Sequence, residues 1–130
     1  MPAKKPKYIH TLICDDIREE VNNKLIFIGV YGPNILVPKI PFIFPKLCFV
    51  NYYNNITGGD SVSIDILGPS GNKLSKTINS TMPKDAKYSA IFSIYSPLEV
   101  KQEGMHQLKL VFNKDDKTKK EVKFEISLKK

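Results

Sequence analysis

Glu121-Val-Lys-Phe-Glu-Ile-Ser-Leu128 decides the fold class. Val122, Phe124, Ile126 and Leu128 alternate with Glu121, Lys123, Glu125 and Ser127. Successive side chains of a strand point to opposite faces, so this alternation predicts a strand with one dry face and one wet face. The run 105–113 repeats the pattern, with Leu108, Leu110 and Phe112 inward and Gln107 and Lys109 outward. A polar stretch, 113–119, separates the two runs, which predicts an antiparallel hairpin.

Working outward, the run 61–67 sets Val62, Ile64 and Ile66 against Ser61, Ser63 and Asp65, and the turn Gly68-Pro-Ser-Gly-Asn72 follows. The run 73–78 reads as a short edge strand on which Lys73 and Lys76 discourage further pairing. The run 87–95 is rich in Tyr88, Ile91, Phe92, Ile94 and Tyr95, with Ser89 and Ser93 sharing the face of Ile91 and Tyr95. Pro97 closes it and Gly104 opens the next strand. Strands are also expected over 8–14, 24–31 and 45–53, with a turn at Thr57-Gly-Gly-Asp60. Leu25-Ile-Phe-Ile28 has no polar alternation, which predicts a strand covered on both faces or one crossing between sheets. The only helix candidate is 15–21, two turns with an aspartate cap and Glu19 and Glu20 behind it.

Short strands punctuated by turns predict an all-β chain, an antiparallel, immunoglobulin-like β-sandwich of about eight strands. The expected organisation is a basic tail at 1–7, one domain at 8–128 and a basic end at 129–130. Hydrophobic residues at 42% and charged residues at 25% argue against disorder. No stretch approaches the ~20 apolar residues of a membrane-spanning helix; the longest, 35–44, is broken by Pro38, Lys39 and Pro41. The apolar segment behind the basic N-terminus is short, holds His10 and Thr11 and ends at Asp15-Asp16, unlike a secretory signal. The expected compartment is the cytoplasm. There Cys14 and Cys48 read as free, buried thiols, although the sequence leaves open whether their Cα atoms fall within the ~7 Å that a disulfide requires.

The formal net charge of +7 raises nucleic-acid binding. Five of those charges, Lys4, Lys5, Lys7, Lys129 and Lys130, lie at the termini, and removing them from +7 leaves +2 for the domain. The remaining cluster, Lys114, Lys117, Lys119, Lys120 and Lys123, is interleaved with Asp115, Asp116, Glu121 and Glu125. Arg18 is the only arginine, and arginine is the better fork for phosphate and guanine. Nucleic-acid binding through the 114–123 turn and the tails is the alternative reading.

Cys14-Asp15-Asp16-Ile17-Arg18-Glu19-Glu20, followed by Lys24-Leu-Ile-Phe-Ile-Gly-Val-Tyr31, resembles the opening of a bacterial family of small domains of unknown function. Leu67-Gly-Pro-Ser-Gly71 and Gly104 suit the same pattern. Asn22-Asn23 stands where the pattern has a glycine before the lysine; asparagine also tolerates positive φ. The resemblance implies a β-sandwich-like domain and carries no activity with it.

Catalytic chemistry finds little to stand on. The histidines are His10 and His106, both expected at the rim. His10 and Cys14 share a strand face about 13 Å apart, too far for a dyad. Cys48 could meet His106 only through the tertiary fold. No metal-binding spacing occurs; Asp15, Asp16 and Asp60 could converge at one end of the domain, or Asp15 could cap a turn while Asp16 pairs with a cation. Asp16 and Arg18 are expected to form a planar, bidentate structural ion pair. No cofactor or small-molecule substrate is implied.

The segment 31–45, Tyr-Gly-Pro-Asn-Ile-Leu-Val-Pro-Lys-Ile-Pro-Phe-Ile-Phe-Pro, is strongly apolar yet holds four prolines, which bars it from a helix or a central strand. It either wraps a sheet edge with Ile40, Phe42 and Phe44 in the core, or exposes them as an interface. Tyr52 and Tyr53 could extend such a surface. The expected function is therefore a non-enzymatic interaction module that binds a protein partner or itself.

Overall fold

The computed structural model describes residues 5–84 and 87–129. Among these the chain forms eleven strands, two single 3-10 turns and no α-helix. The strands are β1 (Lys7–Glu19), β2 (Leu25–Tyr31), β3 (Asn34–Val37), β4 (Phe42–Phe44), β5 (Leu47–Thr57), β6 (Ser61–Leu67), β7 (Ile78–Thr81), β8 (Lys87–Tyr95), β9 (Leu98–Val100), β10 (Gly104–Phe112) and β11 (Lys120–Leu128). One sheet has the order β2-β1-β5-β8 and the other β3-β11-β10-β6-β7, while β4 and β9 make a small ribbon. All pairings are antiparallel except β3 with β11.

The alternating runs do what their pattern dictates. Leu108, Leu110, Phe112, Phe124 and Ile126 are buried, and Val62, Ile64 and Ile66 join them from β6. Leu108 stands opposite Val122 in the expected hairpin. Leu128, at the strand end, is exposed. The four-stranded sheet contributes Ile13, Phe49, Tyr53, Ile91 and Tyr95 to the same core. Phe49 meets Phe124 at 5.4 Å between ring centroids and Tyr53 meets Phe112 at 4.8 Å, so the two sheets face each other across one apolar layer. A polar thread runs across the strands of the four-stranded sheet: Tyr8 donates to Thr11, Thr11 to Asn51 Oδ1, and Asn51 to the Ile91 carbonyl and the Ser93 hydroxyl. That thread satisfies the buried Asn51 amide, which would otherwise cost a desolvation penalty.

Several expectations are corrected. The helix at 15–21 does not form: β1 runs on to Glu19, with Asp16, Ile17, Arg18 and Glu19 opposite Ile28, Phe27, Ile26 and Leu25. Two isolated helical turns are marginal in water, and the apolar β2 offers a complete ladder instead. Only a 3-10 turn at Val21–Asn23 follows, and Asn22 there takes φ of 70°. The edge strand expected at 73–78 shifts to β7, leaving one bridge between Lys73 and Leu67. The turn holds the chain back: Gly68 donates to the Asn72 carbonyl and Leu74 to the Ile66 carbonyl. The strand count exceeds eight because the proline-rich segment supplies β3 and β4 and the short β9 pairs with β4. Both keep to places where proline is tolerated, β3 as an edge strand between Pro33 and Pro38 and β4 in the ribbon.

Of the basic tail, residues 1–4 lie outside the described residues, as does Lys130. Lys5 donates to Asp115 at 3.1 Å, and Lys7 opens β1.

A candidate interaction face on the four-stranded sheet

The strands of the four-stranded sheet send alternate side chains outward, away from the shared core, and in the middle of the sheet those side chains are mostly apolar. Registers place them in three rungs. In the first, Val30 of β2 stands opposite Cys14 of β1, Cys14 opposite Cys48 of β5, and Cys48 opposite Ile94 of β8. In the second, Leu12, Val50 and Phe92 align. In the third, His10, Tyr52 and Ala90 align, and the His10 and Tyr52 rings stack at 4.6 Å. Directly opposed residues of neighbouring strands share a face, so the rungs form one continuous surface. With strands about 4.8 Å apart and rungs about 6.8 Å apart, the patch measures roughly 15 Å each way.

Cys14, Cys48 and Val50 are fully buried at its centre. Leu12, Ile17, Phe27, Tyr52 and Ala90 pack around them, and every one of these residues belongs to β1, β2, β5 or β8. The cluster is therefore covered by its own sheet's side chains and not by the second sheet. Its flanks stay open: Val30 is 53% exposed, Ile94 44% and Phe92 36%. The outer face of the five-stranded sheet is different in kind. There Lys109 stands opposite Glu121 on one side and Asp65 on the other, and Lys123 opposite Gln107.

A charged rim closes one end of the apolar patch. Asp16 accepts from Lys46 Nζ at 2.7 Å and from Arg18 Nε at 3.2 Å. The ion pair with Arg18 is thus present but monodentate, not the bidentate fork expected, because Lys46 occupies the other carboxylate oxygen. Lys46 first, and Arg18 among the further causes, holds the Asp16 carboxyl below its ordinary range. The thiols are chemically quiet. Burial above all, then the neighbouring Cys48, pushes Cys14 up to about 11, and burial likewise raises Cys48. A thiol that stays protonated at neutral pH is a poor nucleophile. Cys48 donates its S–H to the Asp15 carbonyl at 3.8 Å, and both cysteines are free.

The residues singled out from sequence disperse. Phe44 and Tyr53 are buried in the main core, and Ile40 and Phe42 pack partly buried against it. Core packing therefore holds for Phe44 and Tyr53, while Ile40 and Phe42 keep part of their surface open. Tyr52 alone lies on the outer face. Lys119 reaches Glu121 at 3.7 Å, and Lys120 sits over the Tyr8 ring at 4.7 Å. Lys114 borders a polar depression of about 420 Å³ with Ser61, Ser63, Asn79, Ser80 and Thr81. Lys117 is exposed in the turn, and Lys123 on β11. His106 is a correction: it is 1% exposed, not at the rim. Its Nδ1–H donates to the Gly104 carbonyl at 2.9 Å, its ring stacks on Phe124, and Nε2 has no partner among the described residues. Asp60 and Asp16 do not meet, since the eleven-residue β5, roughly 35 Å long, separates them. Among the described residues no three acidic, histidine or cysteine side chains cluster as metal ligands would.

Residues 10–127 match the model of a family of unknown function, DUF6941. The chain belongs to this family. The match takes in every residue of the three rungs, and membership of a family of small domains of unknown function was the expectation from residues 14–20 and 24–31. No curated protein matched the chain.

The face went unread in the sequence although signals for it exist. Leu47-Cys-Phe-Val50 and Leu25-Ile-Phe-Ile28 are apolar at both parities, and Ala90, Phe92 and Ile94 are apolar at the outward one. Expecting β2 to be covered on both faces was the natural reading, but β2 is an open edge strand with Leu25, Ile26, Ile28 and Val30 exposed.

Proposed function

We propose that this domain is a non-enzymatic protein-interaction module and that the outer face of the four-stranded sheet is its docking surface. One observation carries the reading: the aligned rungs Val30–Cys14–Cys48–Ile94 and Leu12–Val50–Phe92 are apolar from edge to edge. A one-layer sheet face normally alternates to polar residues where it meets water. An apolar centre within a rim of Asp16, Arg18, Lys46, His10 and Tyr52 has the anatomy of a protein interface. Scattered apolar residues would mean little; contiguity is what argues for a partner.

The strand order supports a finer architectural reading, an immunoglobulin-like β-sandwich. β5 and β8 pair in one sheet, the chain crosses from β5 to β6, and β6, β10 and β11 neighbour one another in the other sheet. The parallel pairing of β3 with the last strand fits a chain that starts in one sheet and switches to the second. The reading of the lysines as a nucleic-acid surface has less support, because Lys119 pairs with Glu121, Lys120 covers Tyr8 and Lys5 pairs with Asp115.

The test is site-specific photo-crosslinking in the native host. A photoreactive residue at Phe92 should yield discrete protein adducts, and one at Lys109, on the other sheet's outer face, should yield none. Equal labelling from both positions, or none from Phe92, would sink the docking-face reading.

A further inference from the structure

We infer that this chain also pairs with a second copy of itself, by antiparallel pairing of β2 with β2 across a two-fold axis. The inference rests on the four-stranded sheet being the interaction layer and names what that layer meets at its edge. β2 is the outermost strand and is hydrogen-bonded on one side only, to β1. A strand in that position presents unpaired backbone donors and acceptors to any chain that can run alongside.

The open edges differ in how they are protected. β3 and β7 are four residues long, β3 lies between prolines and β7 carries Asn79, Ser80 and Thr81, while β8, the other edge of the four-stranded sheet, is nine residues long but opens on a charge, Lys87. β2 has seven residues, Leu25-Ile-Phe-Ile-Gly-Val-Tyr31, with no charge and no proline. Leu25, Ile26, Ile28 and Val30 are exposed along it. Its one irregularity is Gly29 at φ of 67°, where the Asp15 carboxylate lies against the backbone.

The backbone ladder calls for another extended strand, and β2 itself meets the demand. Pairing about Ile28 sets Ile26 of each copy opposite Val30 of the other and Leu25 opposite Tyr31. In a two-fold strand pair a charge near the axis meets its own like charge, which is destabilising. β2 has none to meet. The two-fold pairing also closes on itself, whereas pairing β2 with β8 of the next copy would propagate without end. The seam is about 24 Å long and one strand deep, so it buries less than the ~800 Å² per partner of a tight complex. The dimer is therefore weak and concentration-dependent. Each copy carries a formal charge of +7, so added salt should strengthen it by screening repulsion.

Sedimentation velocity from about 5 to about 500 μM tests this on the full chain, since dimer population follows protomer concentration. The wild type should approach twice the monomer mass, more readily at higher salt. Ile28→Lys, which opposes two charges on the axis, should stay monomeric with an unchanged circular-dichroism spectrum. Phe92→Ser, on the face and away from the β2 edge, should dimerise like the wild type. A wild type that stays monomeric throughout overturns the second copy but leaves the docking face to the crosslinking result. A dimer lost in Phe92→Ser and kept in Ile28→Lys overturns edge pairing. Should Ile28→Lys fail to fold, hydrogen exchange on the wild type decides: amide protection within β2 must rise with concentration, and a flat profile refutes the seam.

Discussion

Cys14 and Cys48 stand directly opposite each other on neighbouring antiparallel strands, both fully buried, on the face of the sheet that looks away from the core. Thiols in that position are shielded only by their own sheet's side chains. In the native protein they should resist a thiol reagent at pH 7, and both should react once the chain is unfolded. Rapid labelling of either thiol in the folded protein would show that Leu12, Tyr52 and their neighbours do not seal the cluster. Cys48→Ser should cost about 1–3 kcal/mol, since a hydroxyl among apolar neighbours is poorly satisfied, and Cys48→Ala should cost less. Urea melts of the two variants give the comparison.

The same burial sets an alkaline limit on stability. Burial first, then Cys48, raises Cys14 from 9.0 to about 11, and burial with the Asp15 contact raises Tyr31 from 10.0 to about 12. Each group holds its proton more tightly folded than unfolded. The stability they contribute is complete below the unfolded values and is lost as pH climbs through the folded ones. The melting temperature should therefore fall steadily from pH 9 to pH 11, and Cys14→Ala should make that fall shallower. Parallel alkaline limbs in wild type and variant would mean that Cys14 does not titrate against the fold.

At the acid end the group to watch is His106. Burial, its largest influence, keeps the imidazole below its ordinary value of 6.5, and the Gly104 carbonyl only partly opposes this. The unfolded chain takes up that proton more readily, so the contribution is complete above pH 6.5 and shrinks as pH falls through the folded value. His106→Phe should flatten the acid limb of a melting-temperature profile. At pH 7 it should change stability little: it gives up one bond to Gly104 but removes an Nε2 that has no partner among the described residues. A variant whose acid limb matches the wild type assigns acid sensitivity to the carboxylates instead.

What could be read from the sequence follows from which faces are wet. β10, β11 and β6 have one wet face, so Glu121, Lys123 and Lys109 spell out the alternation. Strand identity, the antiparallel hairpin and the core set followed from it. Asp15-Asp16-Ile17-Arg18-Glu19 was misread because a short polar run beside a cap residue suits a helix start as well as a strand end, and only the apolar β2 partner decides. The face of Cys14, Val50 and Phe92 was illegible for another reason. A strand packed on one side by its own core and apolar on its open side carries the same unbroken apolar run as a strand buried on both sides. Local sequence does not record whether that second side is covered.

The proline-rich segment gives the sharpest single contrast, because neighbouring residues of β4 point to opposite environments. Phe44 is 4% exposed and meets Phe42 edge-on at 4.9 Å, while Ile43 is 56% exposed. Emptying the Phe44 site leaves a cavity in a close-packed layer, so Phe44→Ala should cost about 3–5 kcal/mol. Ile43→Ser removes a side chain that already faces water and should stay within about 0.5 kcal/mol of the wild type. If the segment acts as a strap over the core, the double variant Phe42→Ser, Phe44→Ser should unfold the domain, not merely release a partner. Urea titration of the three variants separates these outcomes. A folded double variant with near-wild-type stability would return Phe42 and Phe44 to the surface and make this segment, not the four-stranded sheet, the first place to look for a binding site.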